Sequence, residues 1–225
     1  MPVHVAFTPN EAAPAEVGIV VDVLRATSTI AQALSTGYER VLCCAEIDDA
    51  RALRAELPDS LLGGERKAVR VEGFDVGASP REFLEARAQT LILSTTNGTR
   101  AILETARRCE RVLLGSLLNL SAVAQAADSD DVTIVCAGFQ GGFALDDAYC
   151  AGRIVQLLDA ERTHAAVAAD LLARAFPLAL DGLNARTYGP PGLEEDIAYC
   201  AQVDLLDAVP QLTEVTEAAA EIMLR

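Results

Sequence analysis

Six segments of the chain are almost entirely apolar, and stretches with helical spacing separate most of them. The apolar runs are continuous rather than alternating, which is typical of strands covered on both faces of a sheet. The predicted strands cover residues 17–24, 40–45, 60–64, 90–95, 111–116 and 131–138. The predicted helices between them cover residues 27–36, 48–56, 79–88, 99–108 and 119–127. This alternation predicts an α/β fold with three layers, α/β/α, around a parallel or mixed central sheet.

The last third of the chain is rich in alanine and keeps a helical spacing, without further strand-like runs. Four helices are predicted there, over residues 146–159, 162–176, 193–206 and 211–224. A Gly- and Pro-rich insertion, residues 181–192, separates the second from the third. We therefore expect a single domain over residues 1–225 with a helical C-terminal cover, whose apolar surface would also suit a homo-oligomeric interface.

Composition narrows the classes of partner. The 225 residues carry a net charge of −15, which argues against nucleic acid, because its binding depends on Lys and Arg. No apolar window approaches the roughly 18 residues that cross a bilayer, and the first residues lack a signal-peptide pattern. We expect a cytoplasmic protein with no membrane partner. The six cysteines lie in apolar segments without a CxxC pair, which predicts reduced, buried thiols.

Reactive polar residues are concentrated after four of the predicted strands. The loops are DVLRATST (22–29), GGERK (63–67), STTNGTR (94–100) and CAGFQGGFALDD (136–147). In open α/β sheets ligands bind beyond the carboxyl ends of the strands, where helix N-termini also point. Four such loops at equivalent strand ends predict one shared site for an anion and a metal ion.

Each loop also has a purely structural interpretation. STTNGTR can wrap an anion with its hydroxyls and Arg100, but the same residues can simply cap a helix and form a turn. In GGERK, Glu65 can ligate a hard cation while the two following cations bind a doubly anionic substrate, or all three can form a solvated turn. Asp146 and Asp147 can join a Mg²⁺ site or only complement a helix dipole.

Three known phosphate-handling patterns are missing from the sequence. There is no GxxxxGK[ST] loop and no GxGxxG after the first predicted strand, which excludes a P-loop NTPase and leaves a dinucleotide fold unsupported. Haloacid-dehalogenase phosphatases carry a second acid two residues beyond the aspartate of their first strand, but Leu24 follows Asp22 at that spacing. His4 and His164 belong to no nucleophile constellation, and we interpret both as structural or surface residues.

The loops together resemble the signatures of the 2-phosphosulfolactate phosphatase family. The matching blocks are DVLRATST (22–29), GERKAVRVEGFDVGASP (64–80), TTNGT (95–99), CAGFQG with the acidic pair (136–147) and DIAYCAQVD (196–204). The resemblance spans roughly residues 18–204. Two positions depart from the family pattern, since Ala68 stands in place of glycine and Ala78 in place of asparagine.

The resemblance implies a Mg²⁺-dependent phosphatase that hydrolyses 2-phosphosulfolactate, or a similar small anionic 2-phospho acid, to sulfolactate and inorganic phosphate in coenzyme M biosynthesis. On this interpretation the Mg²⁺ ligands are Asp22, Glu65, Asp146 and Asp147. The catalytic residues are Asp22, Arg25, Glu65 and Arg66. The substrate-binding residues are Thr27, Ser28, Lys67, Thr95, Thr96, Asn97, Thr99 and Arg100.

Direct attack of water on the phosphoryl group is the expected mechanism, and Asp22 as a covalent nucleophile is the alternative.

Other functions would use the same residues. A non-catalytic sensor of an anionic metabolite would need the anion-binding loops but not the cluster of acids. A phosphotransferase, or a phosphatase with another natural substrate, would keep the same pocket.

Overall fold

The computed structural model describes residues 2–129, 131–185 and 193–224, and within them ten strands form one mixed sheet. The strands are β1 (His4–Ala6), β2 (Ala15–Val21), β3 (Arg40–Cys44), β4 (Leu61–Arg66), β5 (Val69–Arg70), β6 (Thr90–Ser94), β7 (Cys109–Gly115), β8 (Val132–Cys136), β9 (Pro210–Val215) and β10 (Ala220–Leu224). Their order in the sheet is β1-β8-β2-β7-β9-β10-β3-β6-β4-β5. All six predicted strands are present.

Eight α-helices are found in the same residues. They are α1 (Ala26–Ser35), α2 (Ile47–Glu56), α3 (Gly98–Ala106), α4 (Leu120–Ala127), α5 (Leu145–Val155), α6 (His164–Ala175), α7 (Ala179–Asn184) and α8 (Glu194–Cys200). Five strands, β2, β3, β6, β7 and β8, are each followed directly by an α-helix, which is the alternation that the sequence predicts.

Neighbouring residues of the central strands pack on opposite faces of the sheet. Val20 of β2 packs in one core with Ile30 of α1 and Ile102 of α3. Ile19 and Val21 of the same strand pack in a second core, with α4, α5 and α6. Because successive strand residues point to opposite faces, helices cover both sides, and the three-layer α/β/α prediction is confirmed.

The helix predicted over residues 211–224 is wrong, because the chain forms the β9–β10 hairpin there. The hairpin lies inside the sheet, antiparallel to β7 on one side and to β3 on the other. Its alanine- and glutamate-rich sequence favours a helix locally, but Ala220 and Ile222 alternate with more exposed residues and fill the space between two strands. Strand pairing therefore overrides local propensity.

The hairpin divides the sheet into two parallel groups, β1-β8-β2-β7 and β3-β6-β4. Four strands separate β2 from β6, and the two run in opposite directions. In a flat sheet with strands about 4.8 Å apart, their carboxyl ends would lie at opposite edges and roughly 24 Å apart sideways. Nevertheless the following loops touch, since a Cβ built on Gly98 would lie 2.4 Å from the Cβ of Ala26. The sheet is therefore strongly coiled. This coiling, and not one common edge as predicted, brings the polar loops together.

Several boundaries also differ from the prediction. The helix predicted over residues 79–88 is only a 3-10 turn, Pro80–Phe83. The helices predicted to end at residues 159 and 206 stop at Val155 and Cys200. The strands β1 and β5 and the helix α7 were not predicted. Residues 186–192 of the predicted insertion lie outside the described residues.

Two further expectations can be compared with the structure. All six cysteines are free and buried, as predicted. In the part of the chain that the structure describes, no helix is both long and apolar enough to cross a membrane.

The place of the C-terminal hairpin generates a test of the fold. Replacing Ile222, which is fully buried, by alanine should lower the free energy of unfolding by about 2–4 kcal/mol, because it leaves a cavity in the core. Leu224→Ala in the same strand is the matched control, since Leu224 is 47% exposed and its truncation should cost less than about 1 kcal/mol. Urea unfolding measures both. Equal losses would contradict the described burial of β10.

Candidate active site

A cavity of about 400 Å³ lies where the four polar loops meet. Nine of the predicted site residues line it: Asp22, Arg25, Glu65, Lys67, Thr95, Thr96, Asn97, Asp146 and Asp147. The other predicted site residues, Thr27, Ser28, Arg66, Thr99 and Arg100, are not part of its wall. The four loops therefore meet at the cavity, but some of their side chains lie outside its wall.

Asp22 is the first residue after β2, and its Oδ1 accepts a hydrogen bond from the Ala26 N–H at 3.2 Å, in the first turn of α1. The pKa of its carboxyl is raised from the ordinary value of 3.8 to about 7, chiefly because the group is buried. The hydrogen bond from Ala26 opposes this rise, whereas the negative charges of Glu65 and Asp146 add to it, and the positive charge of Arg25 lowers it.

The hydroxyls of Thr27 and Ser28 hold the connection from β2 to α1. Thr27 Oγ1 accepts the N–H of Asp22 at 3.1 Å and donates to its carbonyl at 2.9 Å. Ser28 Oγ donates to the Val23 carbonyl at 2.8 Å. Both residues are fully buried and lie outside the cavity wall, so the structure shows Thr27 and Ser28 shaping the loop.

Asp147, in the first turn of α5, joins the loops that follow β2 and β8. Its Oδ1 accepts the Val23 N–H at 2.9 Å, and its Oδ2 accepts the Gly138 N–H at 3.0 Å. Burial raises the pKa of this carboxyl well above its ordinary value, and the charges of Asp146 and Asp22 raise it further. The cavity wall therefore contains buried carboxylates that repel one another.

Glu65 holds two other loops together. Its Oε1 accepts both the N–H and the hydroxyl of Thr96, at 2.8 and 2.9 Å. Its Oε2 accepts the N–H of Ala68 at 2.6 Å. Both carboxylate oxygens of Glu65 thus connect the β4–β5 turn to the loop after β6.

The β4–β5 turn consists of Lys67 and Ala68, flanked by the paired residues Arg66 and Val69. Both central residues have positive φ, 54° and 62°, a left-handed conformation that is uncommon for residues with a Cβ. Lys67, the single lysine of the chain, lines the cavity. Within the described residues its ammonium group has no ion-pair partner.

Arg66 points away from the cavity. Its guanidinium donates to the carbonyls of Ala45, Glu65 and Ser94 and to the Ser94 hydroxyl. These bonds satisfy carbonyls at the ends of neighbouring strands. The structure therefore assigns Arg66 to the frame of the site and leaves its predicted contact with the substrate without support.

The loop after β6 is divided in the same way. Thr95, Thr96 and Asn97 line the cavity, whereas Thr99 is almost fully buried behind it and donates its N–H to Thr95 Oγ1 at 3.3 Å. Arg100 lies in a neighbouring cleft, where it pairs with a glutamate across solvent-exposed surface. The predicted substrate contacts of Thr99 and Arg100 are thus not made in this cavity.

Two features of the site were not predicted from the sequence. The first is Asp196, whose Oδ2 accepts from Arg25 Nη1 at 2.6 Å. Arg25 lines the cavity and also donates from Nη2 to the Ala68 carbonyl at 3.1 Å. Asp196 opens DIAYCAQVD, one block of the family resemblance, but no site role was predicted for it. The apolar part of the wall, which includes Leu24, Ala78, Ala144 and Leu193, was also not predicted.

The carboxylates fit a divalent cation only in part. Among the described residues, no three Asp, Glu, His or Cys side chains lie close enough to enclose a metal ion. The predicted set of Asp22, Glu65, Asp146 and Asp147 is thus not preassembled, because Glu65 and Asp147 use their oxygens to hold loops. Mg²⁺ usually takes one or two protein carboxylates plus waters and phosphate oxygens, and the excess of negative charge fits that arrangement.

Comparison with known proteins identifies the family of this chain. The sequence model of the 2-phosphosulpholactate phosphatase family matches residues 4–215. A protein of Pseudothermotoga lettingae named "Probable 2-phosphosulfolactate phosphatase" is 37% identical over 219 residues, which cover 94% of this chain and 96% of the relative. A protein of the same name from Thermus thermophilus is 39% identical over 210 residues, 88% of each chain. The chain belongs to the 2-phosphosulpholactate phosphatase family.

Proposed function

We propose that this protein hydrolyses 2-phosphosulfolactate, or a closely similar small anionic 2-phospho acid, to sulfolactate and inorganic phosphate with the help of Mg²⁺. One observation carries the proposal: a single cavity combines buried carboxylates, the N-termini of α1, α3 and α5, and two cationic side chains. Family membership supplies the substrate class. A place in coenzyme M biosynthesis follows from that substrate alone and is part of the same proposal.

The phosphate group would bind at the helix N-termini. Asp22 and Arg25 precede α1, and Asn97 is the N-cap of α3. Backbone N–H groups and the positive end of the helix dipole stabilise an anion at such places. The guanidinium of Arg25 adds a full positive charge with several N–H donors.

Asp22 and Asp146, together with waters and phosphate oxygens, would hold Mg²⁺ and position the attacking water. When bound, Mg²⁺ withdraws charge from phosphoryl oxygens and makes a bound water more acidic. Asp22 contributes a carboxylate whose Oδ1 is fixed by Ala26, so its direction in the cavity is set before substrate arrives. Glu65 keeps the opposite wall in place through Thr96 and Ala68.

Direct attack of water remains the mechanism that we propose. Leu24 presents an apolar side chain to the cavity at the position where dehalogenase-type phosphatases carry their second acid. A covalent phospho-aspartate route through Asp22 would need another group to protonate the leaving oxygen. Trapping a borohydride-reducible aspartyl phosphate at Asp22 would overturn the direct mechanism.

The second anionic group of the substrate, a sulfonate or a carboxylate, would face Lys67. Its ammonium carries a compact positive charge on a flexible stem, at the end of a turn that projects it to the cavity. The apolar wall around Ala78 and Leu193 would cover the short carbon chain between the two anions.

The first prediction concerns the reaction itself. The protein should release phosphate from 2-phosphosulfolactate without any acceptor, EDTA should abolish release, and Mg²⁺ should restore it. Asp22→Asn should lower kcat/KM by about 100-fold or more, because a fixed charge at the reacting group is lost. Asp170→Asn, a buried carboxylate outside the cavity, is the control and should retain activity. Phosphate release unaffected by EDTA would contradict the role of Mg²⁺.

The second prediction concerns the second anion. Lys67→Gln should raise KM for 2-phosphosulfolactate about tenfold, while KM for a phosphate monoester with no second charge stays within about twofold. Arg70→Gln is the matched control, because Arg70 is an exposed cation of the same hairpin that does not line the cavity. A steady-state comparison of the two substrates measures this. An equal rise in KM for both substrates would show that Lys67 does not bind the second anionic group.

The third prediction concerns pH. The pKa of Asp22 is higher in the folded, metal-free protein, about 7, than the ordinary 3.8. The folded state therefore binds more protons than the unfolded chain between these values, so its stability should rise as pH falls from 7 towards 4. In Asp22→Asn the free energy of unfolding should depend less steeply on pH. Urea unfolding in EDTA at several pH values measures both slopes, and identical slopes would contradict the shift.

A further inference from the structure

Asp196 is a buried carboxylate behind the cavity wall, and both of its oxygens are engaged. Oδ2 accepts from Arg25 Nη1 at 2.6 Å, and Oδ1 accepts from the Ser79 hydroxyl at 2.5 Å. Asp196 is 4% exposed. The outer side of the pair is closed by Arg81, whose Nη1 lies 3.9 Å from Oδ1. Among the residues that the structure describes, Asp196 is not part of the cavity wall and meets it through Arg25.

Arg25 is held at two points, by Asp196 and by the carbonyl of Ala68. Its side chain is 9% exposed, yet it lines the cavity. A guanidinium carries five N–H donors in one plane, so fixing one edge of that plane determines where the other donors point. Arg25 is the N-cap of α1 and shares the cavity wall with Asp22, three residues earlier in the chain.

The helix α8, which carries Asp196, is held by the 3-10 turn Pro80–Phe83, by α7 and by side-chain contacts with α1. Tyr199 donates its hydroxyl to Gln32 Oε1 at 2.6 Å. Cys200, fully buried, lies against the Ser28 side chain. Ser28 and Gln32 of α1 thus both meet side chains of α8. Together with the Arg25–Asp196 ion pair, these contacts hold the Asp196 carboxylate beside Arg25.

We propose that Asp196 is a positioning residue, which orients the Arg25 guanidinium so that its remaining N–H groups face the phosphate oxygens of the substrate. The inference rests on the proposed function, because it assigns the anion at Arg25 to the substrate phosphate. A planar donor group aligned before binding loses less freedom when it meets a phosphate than a mobile one. Loss of Asp196 would leave the positive charge of Arg25 in the cavity, but the guanidinium would no longer be held in one orientation.

A purely structural role makes a different prediction. If Asp196 only anchored α8, its replacement would lower stability, and the folded fraction would keep its kinetic constants. If Asp196 acts through Arg25, its effect on catalysis must disappear when Arg25 is absent. A double-mutant cycle separates the two roles.

The cycle combines Asp196→Asn with Arg25→Ala in the full chain with Mg²⁺. Asp196→Asn alone should lower kcat/KM for 2-phosphosulfolactate about tenfold, and in the Arg25→Ala background it should change kcat/KM by less than about twofold. The same loss in both backgrounds, or no loss in either, would overturn the inference. Ser79→Ala provides a second variant that leaves the ion pair intact, and we expect a smaller loss with the same dependence on Arg25.

Asp170→Asn is the matched control for burial and charge. Asp170 is 6% exposed and accepts hydrogen bonds from Arg162, Arg174 and Gln156, away from the cavity wall. Its replacement should lower the melting temperature without changing kcat/KM. If Asp170→Asn changed kcat/KM as much as Asp196→Asn, general destabilisation would explain both effects and the inference would fail.

Binding of inorganic phosphate provides a readout that does not depend on hydrolysis. Titration calorimetry should show weaker phosphate binding by Asp196→Asn than by the wild type, and no further weakening in the Arg25→Ala background. If the wild type released no phosphate from 2-phosphosulfolactate, the proposed function would fail, and phosphate binding would still test the inference. Unchanged phosphate affinity in Asp196→Asn would overturn the inference alone.

Discussion

The site depends on keeping two mutually repelling carboxylates, Asp22 and Asp147, buried where β2 and β8 end. Backbone N–H groups stabilise both carboxylates by hydrogen bonds: Asp22 accepts from Ala26, and Asp147 accepts from Val23 and Gly138. Each of these bonds also fixes a turn of the main chain. The acids that give the cavity its chemistry are therefore the same groups that determine the paths of the loops around it.

Polar residues of the four loops divide into those that face the cavity and those that hold its frame. Arg66 satisfies strand-end carbonyls, Thr27 closes the turn after β2, and Glu65 links two loops while lining the wall. Lys67, by contrast, keeps its charge available to the cavity. A cavity with many charged neighbours thus has few unpaired charges, which is what specific recognition of a small dianion requires.

The features that the sequence predicted correctly are those determined by local patterns of residues. Continuous apolar runs identified the buried strands, and polar loops after them identified the neighbourhood of Asp22. The sequence did not predict the directions of the side chains. Arg66 and Lys67 are adjacent in one loop, and the left-handed turn determines which of them faces the cavity. Asp196 acquires its contact with the site from helix packing far along the chain. Residues 211–224 form strands because a gap in the sheet accepts them, which no local propensity encodes.

That gap lies between the two halves of the cavity. The parallel group containing β2 and β8 carries the aspartates, and the group containing β4 and β6 carries Glu65, Lys67 and the threonines. The hairpin that joins them follows every other strand in chain order, so during translation it leaves the ribosome after the other eight. Until it inserts, β7 and β3 are open edges that can pair wrongly. A nascent chain can therefore form both half-sites early, but it can unite them only when residues 210–224 have been made.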